Sequence, residues 1–298
     1  MTEREGPSHA SLYGLMGLCT LAWSLNYIVS KIALRELPAL LVAGVRTALA
    51  GVLIAPLYLW FRSRLPVADW SRRDIPILAV LGLLGVALNQ IFFVIGIGRT
   101  SVAHAAVMIG LCPLLVLCMA ALSGLEALTA GRLLGMAVAL AGVIVLQFAP
   151  SSGKAHPTLL GDLFVLLAAL TFSAFTVLNK KVAKAFSSVT VNTFAYVGGG
   201  VALMPLTLWQ ANSIVLSQVS AAAWASVVFM AAFPSVLAYV LYSYVLKFVP
   251  ASRVSAFSYL QPVLATTLAI PLLDEHPTLS LVGGGALVLF GVFLTERF

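Results

Sequence analysis

This chain repeats itself in one register. Residue 31 is Lys and so is residue 180, a spacing of 149 in a chain of 298 residues. The same spacing links Pro56 to Pro205, Pro113 to Pro262, Glu126 to Glu275 and Thr129 to Thr278. It also links Gly135 to Gly284 and Gly142 to Gly291, with no gap needed. Leu falling on Leu would mean little in so apolar a sequence, but Pro, Glu and Lys recurring together are hard to obtain by chance. Two units follow, residues 1–149 and 150–298, each holding five apolar stretches. Five is odd, so if every stretch crosses a bilayer the second unit enters it upside down.

Composition says what solvent the stretches meet. Hydrophobic residues make up 61% of the chain and charged residues 9%, against roughly 25% charged in soluble domains. Mean hydropathy is +1.05. A span needs about 20 mostly apolar residues. Ten are read, at about 12–34, 37–61, 75–98, 101–123, 132–149, 160–181, 190–211, 222–246, 252–273 and 278–296. The fold class expected is an all-α integral membrane protein of ten transmembrane helices. Runs this long argue against a barrel, whose strands would alternate over about 10 residues.

The net charge of +7 does not point to nucleic acid, because its distribution fits topology. With ten spans both termini share one side, and that side collects most of the Lys and Arg, including Arg62, Arg64, Arg72, Arg73, Lys180, Lys181 and Lys184. Positive loops stay cytoplasmic, so both ends are expected inside, with anionic lipid as the partner of the basic loops. The four-Arg loop of the first copy has a counterpart near 212–221 with no basic residue, as inversion requires. No cleavable leader is expected, since the first span is full length and is followed by Lys31 and Arg35. Cys19, Cys112 and Cys118 all fall inside spans and suggest no disulfide framework. The linker between the copies is Pro150–Pro157. Residues 62–74, with Trp70, read as a loop.

Polar groups in hydrocarbon are costly and face a partner or water, so they form the candidate list. Arg46 is the one ionisable residue well inside a span, roughly 13 Å below the outer boundary at 1.5 Å per residue. Asn26, Asn89 and Gln90 fall at a similar depth. Arg46 fits two roles: locking helices together as a structural or gating element, or attracting a substrate carboxylate. Aromatic residues gather near the same level, with Trp23 and Tyr27 in the first span, Phe92 and Phe93 in the third, and Tyr239 and Tyr242 in the eighth. Tyr259 lies beside Gln261 in the ninth. Ser173 is the mate of Ser24, and each follows an aromatic residue, Phe172 and Trp23. As a set, Trp23, Asn26, Tyr27, Asn89, Phe93, Ser173, Tyr239, Tyr242, Tyr259 and Gln261 would suit a pocket for an amphiphilic, partly aromatic solute. Pro113 and Pro262, mates in the fourth span of each copy, read either as hinges or as fixed kinks. The glycines of the fifth spans allow close approach, either in a weak homodimer or within one chain.

All ten acidic residues and the four His lie near span ends or in loops. Proton pumps keep such groups mid-membrane, so transport without tight proton coupling is expected. No phosphate-binding loop and no metal-ligand spacing is present, so neither a cofactor nor a metal is expected.

The pattern resembles the EamA-type branch of the drug/metabolite transporter superfamily. The resemblance rests on Trp23-Ser24-Leu25-Asn26, Lys31, Arg46, Pro113, Gly124-x-Glu126-x-x-Thr129, Gly135 and Gly142. In the second copy it rests on Pro262, Glu275, Thr278, Gly284 and Gly291. It covers essentially the whole chain. It implies a central cavity bounded mainly by helices one, three, four, six, eight and nine. Within the family, the chain is similar to aromatic amino acid exporters of the YddG type and to exporters of cysteine-pathway metabolites. The expectation is a bacterial inner-membrane exporter of amino acids, large neutral or aromatic, working by alternating access. The rivals are a drug or nucleotide-sugar carrier of the same fold, a membrane-embedded enzyme, and a passive channel.

Overall fold

The computed structural model describes residues 7–63, 70–100, 105, 108–146, 158–261, 263–264, 267–268 and 279–298. These residues are helical, with short turns and no strand among them. In chain order the helices are α1 (His9–Ala33), α2 (Ala39–Arg62), α3 (Arg72–Arg99), α4 (Cys112–Leu122) and α5 (Ala130–Leu146). Then follow α6 (Leu159–Val182), α7 (Ser188–Ala211), α8 (Ala221–Val245), α9 (Ala251–Ala256, continued by a 3-10 turn to Tyr259) and α10 (Leu279–Arg297). Six of them, α1, α2, α3, α6, α7 and α8, are long and apolar enough to cross a membrane. The expected hinge residue Pro262 lies outside the described residues, as do Glu275 and Thr278.

Helix is the form that lets an apolar segment satisfy its own backbone in lipid. Start signals are local. Ser8, Thr158, Ser187 and Ser220 each accept a hydrogen bond from the backbone N–H three residues on, the standard use of a short hydroxyl at a helix start. Gly124, at φ +67°, turns the chain after α4 in the left-handed conformation that glycine adopts freely. Exposed side chains on α2 and α7 are apolar, including Val52, Leu59, Trp60, Val201, Leu208 and Trp209. In water such a belt would be a liability; in a bilayer it is the lipid face.

Packing follows the sequence repeat. α2 packs on α7, α5 on α10 and α4 on α9, each helix against its mate. The remaining large contacts exchange partners: α1 packs on α8, and α3 on α6. The α2–α7 pair is antiparallel, since Gly44 faces Thr207 while Gly51 faces Tyr196. α5 and α10 are antiparallel too, with Gly135 against Gly291 and Thr295, and Gly142 against Gly284 and Val288. The two glycine stripes therefore face each other within one chain. Polar contacts keep the same register. Lys31 Nζ donates to the Thr100 carbonyl at 2.7 Å, and its mate Lys180 donates to the carbonyl of Val249, the mate of Thr100, at 2.8 Å. Each lysine thus neutralises a helix C-terminal carbonyl.

α3 and α8 share one further irregularity. Each passes through a π-helical stretch, Leu83–Leu88 in α3 and Ala231–Leu237 in α8, again about 149 residues apart. The second contains Pro234. Such bulges leave carbonyls without their usual helical partner and are common at functional sites. The sequence reading of prolines as kinks did not anticipate the bulge at Leu83–Leu88, which has no proline.

Outside the spans, two carboxylates tie helix starts. Glu126 accepts from Arg132 at 3.0 Å and from the Ser252 backbone N–H and hydroxyl at the start of α9. Glu36 accepts from the Ser220 backbone N–H and hydroxyl, both at 2.7 Å. Those two bonds, the backbone one foremost, hold the Glu36 carboxyl below the usual carboxylate range.

Two outcomes are expected. A Cβ at Gly135 would come within 2.6 Å of the Thr295 nitrogen, whereas one at Gly14 meets nothing within 4 Å. Gly135→Leu should therefore cost about 1–3 kcal/mol and lower the melting temperature in detergent, while Gly14→Leu leaves it unchanged. Glu36 is bound more tightly when ionised. Its contribution should be complete above the ordinary carboxylate range and disappear as pH falls through its lowered folded value. The thermal stability gap between wild type and Glu36→Gln should accordingly close on acidification.

Candidate functional site

A cavity lies where the two halves meet. The space between its atoms is about 540 Å³, counting that at its open side. α1, α3, α6 and α8 contribute to its wall, with Arg46 from α2, Ile109 and Cys112 at the head of α4, Ser258 in the turn that ends α9 and Gln261 just beyond it.

The π-helical stretches shape the wall. Each leaves a carbonyl that an aromatic side chain from the other half takes up. Trp23 Nε1 donates to the Pro234 carbonyl at 3.0 Å. The Tyr239 hydroxyl donates to the Gly85 carbonyl at 2.9 Å, with Asn89 Oδ1 at 3.2 Å. Gly85 and Pro234 are mates. Trp23 in turn stands edge-on to Phe172 at 5.6 Å and to Tyr239 at 6.0 Å. Edge-to-face contacts of this kind add to the area buried, so the aromatic wall is rigid.

Smaller bonds fix the rest. Ser24 Oγ donates to the carbonyls of Thr20 and Gln261, and its mate Ser173 donates to those of Ala169 and Cys112, which are the mates of Thr20 and Gln261. The first helix of each copy thus grips the fourth helix of the other. The Tyr27 hydroxyl donates to Gln261 Oε1 at 3.1 Å, and Asn89 Nδ2 donates to the Ala168 carbonyl at 2.9 Å. Phe93 stacks edge-on to Tyr27 at 5.8 Å.

Arg46 is 2% exposed. Its Nε donates to Ser235 Oγ at 2.9 Å, and Ser235 Oγ donates to the Met230 carbonyl at 2.8 Å. Pro234 explains that relay. It has no N–H to give Met230; the π-helical register brings Ser235 opposite that carbonyl instead, and the Ser235 hydroxyl oxygen accepts from Arg46.

Of the expected pocket residues, Trp23, Asn26, Tyr27, Asn89, Phe93, Tyr239 and Gln261 line the cavity. Ser173, Tyr242 and Tyr259 lie behind it. Ser173 holds the Cys112 carbonyl. Tyr242 is fully buried, bonds Thr176 and packs on Trp23 at 5.3 Å. Tyr259 is fully buried beside Met136 and Val288. Pro113 is buried in the first turn of α4 and does not line the wall.

The wall also holds Gln90 and Phe172, which the sequence reading named but did not add to its pocket set, and Ile109, Cys112 and Ser258, which it left out as wall residues. The repeat could have found most of them. Gln90 is the mate of Tyr239, Cys112 of Gln261, Phe172 of Trp23, and Ile109 of Ser258. The other wall residues, Asn26, Tyr27, Arg46, Asn89 and Phe93, belong to the first copy. Their mates Phe175, Thr176, Ala195, Ala238 and Tyr242 are all fully buried.

Among the described residues no carboxylate or imidazole lines the cavity, and they contain no group of three or more His, Cys, Asp or Glu that could hold a metal ion. What the wall can do is bind. It offers aromatic faces, amides, hydroxyls and one guanidinium.

Comparisons with known proteins agree with a membrane transporter. The profile of the EamA-like transporter family matches residues 11–148 and again residues 159–297. An uncharacterized transporter of Archaeoglobus fulgidus is 27% identical, covering 95% of this chain and 98% of its own. The uncharacterized inner membrane transporter YedA of Escherichia coli is 26% identical over 95% of this chain and 90% of its own. A probable terminal-alkyne amino-acid exporter of Streptantibioticus cattleyicolor is 29% identical over 76% and 74%. A solved crystal structure shares the fold at a TM-score of 0.77 and 20% identity, covering 97% of this chain and 98% of the other. This chain is a multi-pass membrane transporter and belongs to the EamA-like transporter family.

Proposed function

We propose that this chain is an inner-membrane secondary transporter that exports amino acids, large neutral or aromatic ones, by alternating access. Its two units, residues 1–149 and 150–298, would be inverted five-helix repeats with ten spans and both termini cytoplasmic. The carrying observation is the cavity wall: an aromatic surface of Trp23, Phe172 and Tyr239 beside a single buried cation and several amides. A resemblance to a relative named as a probable amino-acid exporter points the same way.

Alternating access draws support from the lopsided lining. A duplicated protein in a symmetric state would line its cavity with mates from both copies. Here five wall residues come from the first copy while their mates are buried. That is the asymmetry expected if the two repeats hold different conformations and exchange them to open the opposite side. Release of the Tyr242–Thr176 pair would accompany the exchange. That no carboxylate or imidazole among the described residues lines the wall supports transport by the solute's own gradient or by exchange.

Arg46 bears on the rivals. An organic cation about 6 Å from it would be repelled by about 3 kcal/mol at an effective dielectric of about 20, which weighs against a carrier of cationic drugs. A nucleotide sugar brings several negative charges to one guanidinium. A catalytic reading would need a nucleophile paired with a base, and none of the described wall residues is a base.

The test is counterflow in proteoliposomes with labelled Phe, Trp, Leu and Thr against cationic dyes. Saturable amino acid exchange that needs no imposed pH gradient is expected. Dye uptake without amino acid uptake, or flux that does not saturate, would overturn the proposal. Trp23→Ala, which removes an aromatic face from the wall, should raise KM for Phe about 10-fold with the protein still expressed; unchanged KM would remove Trp23 from the pocket. Tag-accessibility mapping should place both chain ends in the cytoplasm, and ends on opposite faces would refute the ten-span arrangement.

A further inference from the structure

Three side chains of the wall each have a polar atom left over. Arg46 Nη1, Asn26 Oδ1 and Gln90 Oε1 are buried and have no hydrogen-bond partner, and all three residues line the cavity. Buried polar atoms are almost always paired, so three unpaired ones on residues that line one cavity call for a partner.

Their chemistry is complementary. Arg46 Nη1 is a charged donor. Asn26 Oδ1 and Gln90 Oε1 are neutral acceptors. The Arg46 side chain is fixed by the relay through Ser235 to the Met230 carbonyl, which occupies Nε and leaves the far end of the guanidinium unused. Among the described residues no carboxylate of the wall neutralises it. The ion pair of Arg132 with Glu126 involves other groups.

We propose that the cavity takes an α-amino acid as its zwitterion, with the carboxylate on Arg46 and the ammonium group on the amide oxygens of Asn26 and Gln90. The aromatic side chains of the wall then receive the solute's side chain. This assignment rests on the amino acid reading above and adds the polar anchor to it. Each simpler ligand leaves something unpaired. An amine without a carboxylate leaves Arg46 bare and is repelled by it. A carboxylic acid without an ammonium group leaves both amide oxygens empty. A phosphate ester brings more negative charge than one guanidinium balances. The anchor belongs to one copy alone, because the mates of Arg46 and Asn26 are Ala195 and Phe175.

The experiment is competition against labelled phenylalanine in counterflow, using unlabelled phenylalanine, phenylalanine amide, phenethylamine and 3-phenylpropionate. On the wild type, each of the three analogues should compete at least about 10-fold more weakly than phenylalanine, the loss expected for one charged hydrogen bond. Arg46→Gln should raise KM for phenylalanine on the order of 10- to 100-fold and improve phenethylamine relative to it. Arg46→Lys should fall between. A purely structural Arg46 would change the amount of folded protein without changing that ranking. The anchor is overturned if phenylalanine amide competes as well as phenylalanine on the wild type, or if Arg46→Gln keeps both KM and ranking. The wild-type series decides the matter even where the variants do not fold. Amino acid exchange with an indifferent ranking removes the anchor and spares the proposed function; no exchange of any amino acid removes both.

Discussion

In lipid, a backbone carbonyl that loses its helical partner must find another inside the protein. The structure of the site depends on that constraint. α3 and α8 both pass through π-helical stretches, and the orphaned carbonyls have to be satisfied from the opposite half. Trp23 satisfies Pro234 and Tyr239 satisfies Gly85, each from the opposite half, while Ser235 bonds the Met230 carbonyl within α8 itself. These obligations place the aromatic wall and aim Arg46 into the cavity. A local defect in two helices thereby becomes the scaffold of a binding site.

The scaffold is shared evenly between the halves while its chemistry is not. Lys31 and Lys180 cap equivalent carbonyls, Ser24 and Ser173 make equivalent cross-links, and the glycines of α5 and α10 meet in equivalent pairs. Packing groups were kept in both copies because each interface needs the same fit from both sides. The groups able to recognise a solute diverged. Arg46 faces the cavity, whereas its mate Ala195 is packed among Ile54, Leu81 and Tyr196.

Much of this was legible beforehand. The repeat, the apolar runs and the scarcity of mid-span charge gave the helical class and the depth of Trp23, Asn26, Asn89 and Arg46. Seven of the residues expected from polarity and depth do line the cavity. The misses have physical causes. Tyr242 and Tyr259 share the depth and chemistry of Tyr239, but helix rotation turns them into the packing behind the wall. Ile109 carries no polar signal at all, and Cys112 and Phe172 were discoverable only by carrying the repeat onto the pocket.

By itself, the sequence determined the solvent, the helical form of the segments and the pairing of equivalent positions. Those follow from hydrophobicity, from backbone hydrogen bonding and from a register that any reader can count. Only the tertiary structure decided which face of each helix meets the cavity and which polar atoms remain unpaired there. It also decided that the guanidinium of Arg46 has one nitrogen spoken for and another free. Rotation about a helix axis and the π-helical offsets set these outcomes. Both depend on contacts between residues at least 61 positions apart, which no local pattern in the chain encodes.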